Sequence, residues 1–207
     1  MFVFMVVVAS FFAGVIAAAN LALAGRIRVN RNLFRQRKIL EALELIDYRA
    51  GKGKRSGKEI QKIFEERVKD LTDRPVACYA ALTPDGKISR VGVLSRWQGF
   101  WGPIEGIVSV TPEDRRLHGI GIFSHSETPG LGARMTEPEF RKQFFSGEME
   151  VPAPADEGEP SERVGIDAIT GATRTSESIV KFLNESLPKT VDTLRQEMPS
   201  VRAGKEG

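Results

Sequence analysis

From Met1 to Gly25 the chain carries no charged side chain, and Val, Phe, Ala, Ile and Leu dominate it. No other feature constrains the fold as much. Roughly twenty apolar helical residues cross the hydrocarbon core of a bilayer, so residues 1–25 are expected to form a retained transmembrane anchor. A cleaved secretory signal has a basic start and an apolar stretch of about 7–15 residues, and this run has neither. Ala17, Ala18, Ala19, Ala22 and Ala24 on its C-terminal half suit close packing against other membrane helices. Six basic residues (Arg26, Arg28, Arg31, Arg35, Arg37, Lys38) precede the first acid, Glu41. With Phe34 the only aromatic among them and a membrane span adjoining, they suit lipid headgroups better than nucleic acid. Their position after the span would by itself place the rest of the chain in the cytoplasm.

The remaining length, out of 207 residues, is enough for one main domain with a sizeable core. Apolar positions at Leu33, Leu40 and Leu43, with Phe34, Ile39 and Ile46 beside them, predict a helix over about 31–46. Gly51-Lys52-Gly53-Lys54-Arg55-Ser56-Gly57 breaks that pattern. A second stripe, Ile60, Ile63, Phe64, Val68 and Leu71, predicts a helix ending before Pro75. Apolar runs at 76–82, 89–95, 104–110 and 118–124, separated by turn signals such as Pro84-Asp85-Gly86 and Thr111-Pro112-Glu113-Asp114, predict an antiparallel meander of about four strands. Glu148 to Gly165, rich in Pro and acids, is expected to be a long surface loop. The last apolar set, Ile179, Phe182, Leu183, Val191 and Leu194, is helical, and Pro188 is expected to divide it.

The expected fold is therefore α+β: an N-terminal transmembrane helix and helical stalk, then an antiparallel sheet flanked by helices. The expected domains are an anchor (1–25), basic juxtamembrane and stalk helices (26–74), a ligand-binding domain (75–198) and a tail (199–207).

A single cysteine, Cys78, excludes an intrachain disulfide and a four-thiolate cluster. It lies in the apolar run Val76-Ala77-Cys78-Tyr79-Ala80 and is expected to be a buried thiol. His118 and His125 are the only histidines. Neither belongs to a metal-ligand pattern or a nucleophile–base pair, so no protein-bound metal and no hydrolase chemistry is expected. The informative string is Asp167-Ala168-Ile169-Thr170-Gly171-Ala172-Thr173-Arg174-Thr175-Ser176. It sets a glycine and then hydroxyl residues at the start of a helix, where backbone amides and the helix dipole favour an anion such as phosphate. Read locally, Thr173 or Thr175 as a plain helix cap is the simpler account. Trp97, Phe100 and Trp101 read either as aromatics packed on a bound ring or as core residues, the core reading being the preferred one. Arg174 reads either as a neighbour of a bound phosphate or as a solvated helix residue.

The string resembles the flavinylation motif of the FMN-binding domain family, an Asp followed at short distance by Ser/Thr-Gly-Ala-Thr. That motif occurs in the G subunit of Rnf complexes and the C subunit of sodium-translocating NADH:quinone oxidoreductases. A second string, His125-Ser126-Glu127-Thr128-Pro129-Gly130-Leu131-Gly132, resembles the His-x-Glu-Thr-Pro-Gly-Leu-Gly segment of the same two proteins. The apolar span, Lys38 to Leu43 (Lys-Ile-Leu-Glu-Ala-Leu) and Gly99-Phe100-Trp101-Gly102-Pro103-Ile104 occur in the family's order, so the resemblance covers nearly the whole chain.

The resemblance implies FMN esterified through its phosphate to Thr173 by a flavin transferase that requires Asp167. Thr170, Gly171 and Ala172 would surround the attachment. Glu127, Thr128, Gly130 and Leu131 would form a wall beside the flavin, Pro129 stiffening the loop, the glycines admitting the ring and Leu131 offering an apolar face.

It further implies an electron-carrier subunit of a membrane ion-translocating oxidoreductase complex, the Rnf type favoured over the quinone-reducing type, and not catalytic alone. Its partners would be the other subunits, the transferase and membrane lipid, with no nucleic acid. The family's flavin domain lies outside the cytoplasm, against the charge rule. Neighbouring helices can fix orientation in a complex, so the extracytoplasmic side is the one expected. A membrane-tethered flavin reductase acting alone, or a structural subunit with an empty site, are the competing readings.

Overall fold

The computed structural model describes residues 1–50, 55–145, 147–153 and 164–203, and the chain divides into two compact units, Met1–Arg35 and Gln36–Gly207. The first helix, α1, runs Phe2–Ala42. Within the first unit the side chains of Phe2, Phe4, Phe11, Phe12, Ile16 and Leu21 are exposed. This part of α1 is long and apolar enough to cross a membrane.

The second unit is built on a five-stranded sheet in the sequential order β1-β2-β3-β4-β5, antiparallel throughout. The strands are β1 (Val68–Leu71), β2 (Cys78–Leu82), β3 (Ile88–Gln98), β4 (Pro103–Val110) and β5 (Leu117–Ser124). Four of them match the predicted runs. The fifth, β1, corrects the second predicted helix: α2 covers only Gly57–Arg67. It opens on a capping box, in which the Ser56 hydroxyl accepts from the Glu59 amide and the Glu59 carboxylate accepts from the Ser56 amide, both at 3.2 Å. Val68 is already extended (φ −120°, ψ 125°) and pairs with Ala81. The predicted break over 51–54 lies outside the described residues. At the β2–β3 turn Gly86 adopts φ +75°, and its amide donates to the Thr83 carbonyl, as the Pro-Asp-Gly signal required.

Strand parity divides the core in two. Cys78, Ala80, Val91, Val93 and Val108 pack on one face with Ile179 from helix α4 (Thr173–Lys181), Leu187 and Val191 from helix α5 (Leu187–Ala203), and Leu183 between the two helices. Tyr79, Ala81 and Ile107 pack on the other with Ile39, Leu40 and Leu43 from the end of α1 and Ile60 from α2. Burying those three α1 side chains contributes roughly 5–8 kcal/mol before entropic costs.

The last turns of α1 lie close against β5. A Cβ at Gly121 would stand 2.6 Å from the Lys38 carbonyl oxygen, and one at Gly119 2.6 Å from that of Ala42. The same turns carry a buried ion cluster: Glu41 accepts from Lys38 at 2.7 Å and from Arg141 at 2.8 Å, while Arg141 Nε donates to the Ile120 carbonyl at 2.9 Å. Arg141 ends α3 (Pro138–Arg141). Burial, and then the neighbouring Arg141 cation, hold the Lys38 ammonium below its ordinary pKa.

Two expectations near the C-terminus are corrected. The predicted surface loop 148–165 carries two buried valines, Val151 and Val164, while Glu148 and Gly165 at its ends are exposed. The Val151 amide donates to the Arg115 carbonyl, and Asn184 accepts from the Val164 amide at 2.8 Å. Residues 154–163 of that stretch lie outside the described residues. Pro188 does not divide the final helix into separate pieces. A π turn at Phe182–Ser186, in which the Leu187 amide donates to the Phe182 carbonyl, joins α4 to α5 and leaves Pro188 in the first turn of α5, where a proline's missing donor is tolerated.

Candidate functional site

Three segments converge at one end of the sheet: the β3–β4 turn (Gly99–Gly102), the loop after β5 (His125–Leu131) and the first turn of α4. Between them lies a cavity of about 350 Å³ lined by Phe100, Trp101, Glu127, Thr128, Leu131, Gly132 and residues 171–175.

The turn into α4 is made by Gly171, at φ +78°, where an L side chain would be strained. Ala172, not a threonine, is the N-cap, and no side chain makes a capping hydrogen bond. The local reading of Thr173 or Thr175 as a cap is therefore wrong. The three hydroxyls in the first turn of α4 have different fates. Thr175 is buried and donates to Glu127 Oε2 at 2.6 Å. Ser176 is buried, accepting from the Ile169 amide at 2.9 Å and donating to the Ala172 carbonyl at 3.2 Å. Thr173 is exposed on the cavity, and the amides of Thr173, Arg174 and Thr175, as the first three of the helix, have no intrahelical acceptor.

Glu127 joins the three segments. It is only 4% exposed. Its Oε1 accepts from the Trp101 amide at 3.0 Å, and its Oε2 takes the Thr175 hydroxyl. Glycine makes room for it on both sides, since a Cβ at Gly99 would stand 2.6 Å from Oε1 and one at Gly132 2.6 Å from Oε2. His125 Nδ1 accepts from the Glu127 amide at 3.2 Å, which leaves its proton on Nε2 when neutral.

The aromatic expectations divide. Trp97 is core, 7% exposed and stacked on Phe182 with ring centroids 4.5 Å apart. Phe100 and Trp101 are 43% and 63% exposed and line the cavity, which corrects their reading as core residues. Glycines at both ends of the Phe-Trp pair were the available sign that it occupies a turn tip. The Arg174 guanidinium lies over the Phe100 ring at 5.2 Å from its centroid, close enough for a cation–π contact.

Of the residues singled out from sequence, Glu127, Thr128, Leu131, Gly171, Ala172 and Thr173 meet at this cavity. Asp167 and Thr170 line a second concavity of about 180 Å³ with Arg134 and Lys142, on the stretch of chain that leads into Gly171. Gly130, at φ +74°, has nothing within 4 Å of where its Cβ would be and lines neither.

An exposed hydroxyl at a helix start, facing an aromatic-rimmed cavity, is an arrangement that suits a planar ligand with a phosphate. Comparison with known proteins agrees, for residues 99–188 match the family model of the FMN-binding domain. This part of the chain is similar to the FMN-binding domain family. The G subunit of the proton-translocating ferredoxin:NAD(+) oxidoreductase complex of Clostridium ljungdahlii is 38% identical over 109 residues, covering 53% of this chain and 57% of that protein. The C subunit of the Na(+)-translocating NADH-quinone reductase of Neisseria meningitidis is 29% identical over 107 residues, covering 49% of this chain and 42% of that protein. The chain thus spans about half the length of these relatives. The crystal structure of the corresponding quinone-reductase protein from Parabacteroides distasonis superposes with a TM-score of 0.58 at 23% identity, over 82% of this chain and 96% of that one. That likeness concerns the fold. The segment similar to the FMN-binding domain opens at Gly99 and so includes both exposed aromatics, the Glu127 loop and α4.

Proposed function

We propose that the chain is the covalent-FMN electron-carrier subunit of a membrane ion-translocating oxidoreductase complex, of the kind to which the Clostridium relative belongs. The observation that carries the reading is the position of Thr173. Its hydroxyl is exposed at the first residue of α4, while the hydroxyls two and three residues on are held inside by Glu127 and the Ile169 amide. A phosphate esterified there would face three helix amides without an intrahelical acceptor, and Arg174 adjoins it. Phe100, Trp101 and Leu131 supply the apolar and aromatic surface that an isoalloxazine needs, and a volume of about 350 Å³ falls within the usual range for small-ligand sites.

When bound, FMN supplies a carrier of one or two electrons. The chain's own contribution is to hold that carrier in place, screen one side of it with aromatic rings, and keep it on a membrane-anchored domain. α1 provides the anchor, with the flavin domain on the extracytoplasmic side and the remaining subunits as neighbours. Asp167 and Thr170, in the second concavity, are on the surface that a flavin transferase would approach. The identity to the Clostridium relative, higher than that to the Neisseria one, favours the Rnf-type complex.

Intact-mass and peptide mass spectrometry of protein made in cells with a working transferase tests the attachment, alongside Thr173→Ala. A gain equal to FMN minus water, on the Thr173 peptide and missing from the variant, is the expected result. Unmodified Thr173 in protein from such cells would refute the covalent reading.

A further inference from the structure

Among the described residues two carboxylates are buried, Glu41 and Glu127, and their surroundings differ in kind. Glu41 is held between two cations, Lys38 and Arg141. Glu127 meets only neutral donors, the Trp101 amide and the Thr175 hydroxyl, and no described cation lies within ion-pairing distance of it. Arg174, the cation on the same cavity, is placed over the Phe100 ring. A buried carboxylate is stabilised by hydrogen bonds, but neutral donors do not cancel its charge. The fold goes out of its way to accept this group, leaving glycine at both positions where a Cβ would meet its oxygens. Framing the cavity alone would have been met by a neutral glutamine in the same place.

We propose that Glu127 is a positioning residue with an electrostatic role: it ties the Trp101 turn to α4, and its uncompensated charge makes a flavin held in this cavity harder to reduce. The inference rests on the flavin reading given above. Reduction by one electron, or by two electrons with uptake of one proton from solvent, adds one net negative charge to the flavin, and a fixed negative charge on the cavity wall opposes that addition. A cavity of about 350 Å³ is roughly 9 Å across, so whatever fills it lies within about 10 Å of the wall. At that range, with an effective dielectric of about 20, one unit charge changes a redox equilibrium by about tenfold.

The experiment uses the full chain, made with a flavin transferase and purified in detergent, and reads the flavin's midpoint potential by spectroelectrochemistry. Glu127→Gln keeps the shape and can accept from the Trp101 amide, but removes the charge. At the wild-type midpoint, where oxidised and reduced flavin are equal, the variant should show about a tenfold excess of reduced flavin. Thr175→Val removes one donor and keeps the charge, so it should leave the midpoint unchanged or move it the other way. An unchanged midpoint in flavin-loaded Glu127→Gln would overturn the proposal while leaving the flavin reading intact. So would an equal upward shift in both variants, which would indicate loosening of the site and no effect of charge. Wild-type protein that carries no flavin would overturn both.

Discussion

Substituting Gly132 by alanine puts a methyl group where the structure has no space for one. Its Cβ would stand 2.6 Å from both Glu127 Oε2 and Thr175 Oγ1, and 3.0 Å from Glu127 Cβ. Gly132 is buried at the start of a 3₁₀ turn running to Thr136. The methyl must therefore separate a hydrogen bond 2.6 Å long, to a carboxylate with one other donor. Losing a hydrogen bond to a charged group costs about 1.5–3 kcal/mol, and forcing extra volume into a packed site about 1–3 kcal/mol. Restricting the unfolded chain returns about 0.4–1 kcal/mol, leaving a net loss of about 3 kcal/mol. Gly130→Ala is the control. Its backbone at φ +74° disfavours any L side chain, but nothing lies within 4 Å of the new methyl, so the net loss is about 1 kcal/mol or less. For a domain of this size each kcal/mol moves the melting temperature by about 2–4 °C. Thermal unfolding of the detergent-purified chain, followed by circular dichroism, should place Gly132→Ala about 6–12 °C below wild type and Gly130→Ala within about 4 °C of it. In the double variant Gly132→Ala/Thr175→Ala the losses should sum to less than the two singles, because the obstructing hydroxyl is gone. A Gly132→Ala protein as stable as Gly130→Ala would show that the Glu127–Thr175 contact is not a fixed part of the fold.

Other consequences are open to direct measurement. Burial pushes the Cys78 thiol up to about 11 from 9.0. The folded state therefore holds its proton where the unfolded state has lost it, and this contribution to stability, complete below about pH 9, should fade between about pH 9 and 11. A Cys78→Ala variant should lack that step in a pH series, and native wild type at pH 8 should resist thiol alkylation until unfolded. Arg141→Ala leaves Glu41 with Lys38 alone and the Ile120 carbonyl without its donor, and should lower the unfolding free energy by roughly 3–5 kcal/mol in denaturant titration. If that variant loses less than about 1 kcal/mol, the ion cluster contributes nothing specific to holding the end of α1 in the domain.

Much of this was legible in the chain, and the parts that were not have identifiable reasons. Four strands announced themselves by apolar runs bounded by turn residues. β1 did not, because Val68 and Leu71, three apart, continue the helical stripe of Ile60 and Phe64 as well as they suit a strand. Pairing with Ala81 and Cys78 decided the matter, and those partners are remote in sequence. Pro188 pointed to a break, and the backbone met the constraint with a π turn, which no residue type marks in advance. The residues that meet at the cavity, from Glu127 to Thr173, were singled out through motifs. The hydrogen bonds by which Glu127 joins the three segments were not legible, because its partner Thr175 lies 48 residues away. Phe100 and Trp101 were misread for the opposite reason: aromatics are usually core, and only the flanking Gly99 and Gly102 argued for a turn. Arg141 gave no signal at all, since a buried arginine is recognisable only with its Glu41 partner, 100 residues earlier, in view.

The different fates of the hydroxyls around α4 have a meaning for chemical selectivity. In synthesis, a molecule with several alcohols is modified at one of them by masking the others first. Here Thr175 and Ser176 are masked by the fold, one by a carboxylate and one by a backbone amide, and Thr173 stands outside. A modifying enzyme meeting the first turn of α4 would find one of its three alcohols open, because folding has protected the other two, and its remaining choice would be against Thr170, exposed ahead of the helix. An unfolded chain would present all of them alike, so modification confined to Thr173 would also record that the domain had folded first.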